Sequence, residues 1–75
     1  MIPYKDIAKY MLLHLEDLKK NQWHYTKVEE SPEQDDVKSW EWALDEMIYA
    51  CKKRKGKRAE RGFQLIGKYF FHLDF

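Results

Sequence analysis

Three stretches of this 75-residue chain repeat apolar side chains at spacings of three and four, the signature of helices burying one face. Tyr4, Ile7, Ala8, Met11, Leu15 and Leu18 form the first row; Tyr10, Leu12 and Leu13 widen it beyond the need of a lone surface helix. Val37, Trp40, Leu44, Met47, Ile48 and Cys51 form the second. Ala59, Phe63, Ile66, Phe70 and Leu73 form the third. The expected fold is all-α: a small three-helix antiparallel domain with helices over about 3–20, 32–55 and 57–73.

Local signals set those bounds. Pro3 suits an opening turn. Ser31-Pro32-Glu33-Gln34 reads as N-cap, first helical residue and capping box of the second helix, and Gly56 as its terminator. The segment from Asn21 to Glu30 has no clean period and reads as a connecting loop, in which Trp23 and Tyr25 could cover the core. The turn around Gly56 is short, so the second and third helices should pack antiparallel.

One domain of this size buries only about 60–65% of its unfolded surface and gains from a supplement. Cys51 is the only cysteine, so no internal disulfide supplies it; in its apolar row it reads as a buried, inert thiol. Aromatics make up 16% of the chain, and such rings dominate interface energetics. Assembly as a homo-oligomer follows as an expectation. No run reaches the ~20 apolar residues that span a bilayer, and Met1 to Lys9 holds no signal-peptide apolar block, which points to a cytosolic protein without membrane contact.

The net charge of +1 conceals a split. From Lys27 to Glu46 eight acids face two lysines; from Cys51 to Lys68 eight bases face one acid. Opposed poles favour head-to-tail or antiparallel pairing and draw an anion to one end. The basic run from Lys52 to Arg58 is either a solvated helix end or a tract that touches polyanions. The acidic half would repel a long one, so a compact anion fits better than duplex DNA.

Candidate binding residues lie on the last two helices. Arg58, Arg61 and Lys68, with Tyr69 beside them, suit phosphates and a stacked base. Trp42, Asp45, Glu46 and Tyr49 flank the second core row, as an interface hot spot, as acceptors for ligand hydroxyls, or as partners for the basic third helix. Gly62 and Gly67 each cost about 1 kcal/mol against alanine inside a helix. They mark either close helix–helix approach or room for a planar ligand or partner backbone. Catalysis has little support: Glu41 and Asp45 stand one turn apart as on any acidic face. His14, His24 and His72 lack metal-ligand spacing, and no cofactor motif is present.

The segments carrying Trp40, Trp42, Leu44, Asp45, Glu46, Met47 and Ile48, then Arg58, Gly62, Gly67, Lys68 and Tyr69, resemble a family of small tailed-bacteriophage proteins. Its members share a Trp-rich Leu-Asp-Glu-Met-Ile helix and a later Gly-Lys-Tyr helix motif. This chain departs from them at Cys51-Lys52 and at Asp74-Phe75. The resemblance implies a phage protein in the cytoplasm of an infected bacterial host. By analogy it implies an anti-defence sponge that sequesters a cyclic oligonucleotide or ADP-ribose-type signal in inter-subunit pockets. The alternative is a protein–protein inhibitor of a host or defence factor, engaging through the Trp40/Trp42 side.

Overall fold

In a computed structural model, which describes residues 4–21 and 25–73, three helices follow one another: α1 (Tyr4–Lys20), α2 (Asp36–Lys53) and α3 (Lys57–Lys68). A 3₁₀ turn, Phe70–His72, closes the described chain. No strand forms among the described residues, and none of their helices is long and apolar enough to cross a membrane. Pro3, Trp23, His24 and Asp74-Phe75 lie outside the described residues, as does the side chain of Tyr4.

The helix ends differ from those the sequence signals suggest. Asp35, not Ser31, caps α2: its carboxylate accepts the Lys38 amide at 3.0 Å. Ser31 serves a local turn, accepting from the Glu33 amide at 2.9 Å. Both residues are good N-caps, and the one nearer the first buried turn prevails. Gly56 does not end α2. Arg54 takes the left-handed conformation (φ 63°) and sends its N–H to the Ala50 carbonyl. Gly56, at φ 94°, instead opens α3, at a φ that L side chains rarely adopt. The third helix stops at Lys68, and the chain tightens into the 3₁₀ turn.

α2 and α3 pack antiparallel. Arg58 at the start of α3 meets Glu46, Gly62 meets Ala50, and Tyr69 at its end meets Trp40 near the start of α2. The core joins Leu15 of α1, Val28 of the connection, Trp40, Leu44, Met47 and Cys51 of α2, and Leu65, Ile66, Tyr69 and Leu73. The expected third row is therefore corrected. Phe63 is only half-buried and Phe70 is exposed, whereas Leu65 and Tyr69 point inward. Gly62 explains the rotation, because its missing side chain lets the α3 backbone settle directly onto α2. On α2, Val37 is exposed and Ile48 half-buried, while Ser39 and Glu46 are buried.

The connection 25–35 is tied to the core at Val28. Val28 is buried, and its N–H donates to Ser39 Oγ at 3.2 Å; that hydroxyl donates to the Asp36 carbonyl at 2.9 Å. The last turn is held from two sides. His14 of α1 lies 2.6 Å from the Leu73 carbonyl, and Thr26 lies 3.3 Å from His72 Nδ1. Among the described side chains of α1 only Ala8 and Leu15 are buried; Tyr10 (65% exposed) and Leu13 (56%) carry the widened stripe out to solvent, and Ile7 of the expected row is itself 46% exposed.

Candidate functional site

The structure distributes the candidate binding side chains over three places. The first joins α2 to α3. Arg58 Nε donates to Glu46 Oε2 at 2.8 Å, and its guanidinium lies 3.9 Å from the centre of the Tyr49 ring. Glu46 is 5% exposed, so this pair shelters a carboxylate that would otherwise be buried without a partner. Glu46 cannot read a ligand edge in this position, and Arg58 is committed to it.

The second place is built around Glu30. Lys68 Nζ donates to its Oε1 at 2.9 Å, and the Tyr69 hydroxyl donates to the same oxygen at 3.3 Å. The Lys68 hydrogen bond holds the Glu30 carboxyl below its ordinary range, and Glu30 in turn raises the Lys68 ammonium. Tyr69 is 7% exposed, edge-on to Trp40 with ring centroids 6.2 Å apart. Its face belongs to the core, so it offers no stacking surface to a base. Arg61 shares a hollow of about 460 Å³ with Glu30, Gln64, Leu65 and Lys68.

The third place carries Trp42 and Asp45. They line an open hollow of about 410 Å³ with Glu33, Lys38 and Glu41, and Asp45 is salt-bridged to Lys19 of α1. Trp42 and Tyr49 are half-buried rather than exposed, and Trp40 is buried, so the Trp40/Trp42 side presents no aromatic patch. No family model, curated protein or solved structure matches this chain.

The two glycines separate cleanly. A Cβ on Gly62 would fall 2.6 Å from Ala50 Cβ and closer still to the Glu46 carbonyl oxygen, so close helix approach accounts for it. A Cβ on Gly67 would meet nothing within 4 Å. Among the described residues no three His, Cys, Asp or Glu side chains gather as metal ligands would. Cys51 is buried, and desolvation pushes its thiol up despite the opposing pull of Arg54.

Sequence reasoning missed Glu30, Ser39 and Lys19, each polar and each holding a distant partner. It also offered an interface hot spot at Trp42 and Tyr49, which are half-buried. Among the described residues the large apolar groups facing solvent are Ile7, Tyr10 and Leu13 on α1, Tyr25 in the connection, Val37 on α2, and Phe70 with Phe71 in the last turn. Phe71 is 94% exposed and edge-on to Phe70 at 5.9 Å. The widening of the α1 stripe at Tyr10 and Leu13 was the available signal.

Proposed function

We propose that this chain is a binding protein that docks on another protein through the outer face of α1. The observation that carries the reading is the exposed row Ile7, Tyr10 and Leu13, on a helix whose opposite face, with Ala8 and Leu15, is committed to the core. Apolar groups at that spacing suit a hydrophobic groove on the partner, and a tyrosine in such a row is a frequent anchor. The likeness of the α2 and α3 motifs to small tailed-phage proteins supports an anti-defence role, with inhibition of a host or defence factor in the infected cell.

Capture from host lysate tests it. The wild-type chain should retain one protein in stoichiometric amount, and Tyr10→Glu with Leu13→Glu, folded by circular dichroism, should lose it. Equal capture by the double variant, or none by the wild type, rejects the reading.

A second reading, the nucleotide-signal sponge, is favoured by the hollow that Arg61 and Lys68 share. A second subunit would have to close it and supply the stacking ring, since Tyr69 is buried. Calorimetric titration with cyclic di- and trinucleotides and ADP-ribose-type signals separates the two. Binding tighter than roughly 10 μM at low salt supports the sponge, and its absence rejects it.

A further inference from the structure

Two eight-residue stretches carry opposite charge without admixture. Glu29 to Asp36 holds five acids and no base; Cys51 to Arg58 holds six bases and no acid. α2 holds them about 25 Å apart at 1.5 Å per residue. That is several times the ~8 Å screening length at physiological salt, so neither stretch neutralises the other within one molecule. Local partners do little more. Among the described residues, Glu30 alone of these acids is salt-bridged (to Lys68), and Arg58 alone of these bases (to Glu46). Arg54 turns its Nε back to the Cys51 carbonyl, and Asp35 caps α2. Glu29, Glu33 and Asp36 at one end, and Lys52, Lys53, Lys55 and Lys57 at the other, are exposed.

We infer that the basic turn joining α2 to α3 docks on the acidic segment 29–36 of a second copy, reciprocally, forming an antiparallel two-fold pair. A second copy is the occupant that matches both poles at once, because the same helix sets their spacing in each molecule. Reciprocal contact also closes the assembly, whereas one-way head-to-tail contact would leave an open chain. A nucleic acid would be drawn to the basic turn but repelled by segment 29–36. The contacts are surface ion pairs, weak one by one and screened by salt, so the pair is reversible. This surface is separate from the α1 row, and the inference stands independently of the protein-docking reading.

Charge exchange tests it. Light scattering should give the mass of a dimer at ~20 mM salt and of a monomer at ~500 mM, where the screening length shrinks from roughly 20 Å to roughly 4 Å. Lys55→Glu with Lys57→Glu, and separately Glu29→Lys with Glu33→Lys, should each be monomeric at low salt. Their equimolar mixture should restore a dimer of mixed composition, because each reversed pole then meets its opposite. Neither change opposes folding strongly: a carboxylate at position 57 favours the α3 N-terminus and offsets one at 55 beside the α2 C-terminus, and positions 29 and 33 lie outside α2, before its cap Asp35. If a reversal unfolds, the glutamine versions at the same positions replace it and should weaken pairing at least tenfold. A wild-type monomer at low salt, a dimer indifferent to both reversals, or a mixture that stays monomeric overturns the inference. So does a wild-type monomer that binds a random oligonucleotide.

Discussion

Gly62 of α3 lies against Ala50 of α2 with no room for a side chain: a Cβ would fall 2.6 Å from Ala50 Cβ. Gly67, five residues on, has open space where its Cβ would be. Gly62→Ala should therefore cost about 1–3 kcal/mol through overpacking. Gly67→Ala should be neutral or stabilise by up to about 1 kcal/mol. Thermal melts check both, at roughly 4–8 °C per kcal/mol for a domain of this size. A Gly62→Ala variant that melts higher than wild type would contradict the close approach.

Arg58→Ala strands the buried Glu46 carboxylate. A loss of roughly 1–3 kcal/mol is expected, since removing one partner leaves the other charge desolvated. Glu46→Met with Arg58→Ala removes both charges and should recover much of that loss. Urea denaturation of the four-member cycle measures the coupling, and additive single effects would deny the pair its role.

Ser39→Ala takes away the acceptor of the buried Val28 amide. The cost should be about 1–3 kcal/mol, the usual penalty for an orphaned buried donor. Hydrogen exchange localises the effect: the Val28 amide should lose protection first, ahead of the α2 amides. Unchanged protection there would mean that the hydroxyl is dispensable.

The Glu30–Lys68 contact bounds a pH window. Glu30 is held below its ordinary 4.5, so its contribution is present above that value and lost as pH falls through the lowered one. Lys68 is raised above 10.5, so its contribution is present below that value and lost as pH climbs through the raised one. An NMR titration should place the Glu30 midpoint under 4.5, and Glu30→Gln should return Lys68 to its ordinary range. A Glu30 midpoint at or above 4.5 would remove the contact from solution.

Cys51 is buried, and its thiol is harder to ionise than a free one. A disulfide reagent should leave it unmodified in the native protein and react at the rate of a free thiol in denaturant. Rapid native labelling would show that the core around Cys51 opens.

Much of the fold was legible because helix periodicity is written locally. The rows through Leu15, Trp40, Leu44, Met47 and Ile66 identified three helices, and the short turn at Gly56 paired the last two. Their ends were less legible, since Ser31 and Asp35 are both competent caps only four residues apart. The candidate site was legible in kind but not in arrangement. Arg58 pairs with Glu46, which was one of the roles open to the α2 flank, whereas Lys68 and Asp45 hold Glu30 and Lys19, partners that the sequence does not name.

By itself the sequence determined helicity, the number of helices, and the two charged poles at opposite ends of α2. These depend on side chains a few residues apart, or on plain composition. Only the tertiary structure decided the rotation of α3 about its own axis, and with it the burial of Tyr69 and Leu65 in place of Phe63 and Phe70. Both sets satisfy a helical period equally well. The choice falls to whichever face lets two backbones approach, and Gly62 against Ala50 supplies that contact.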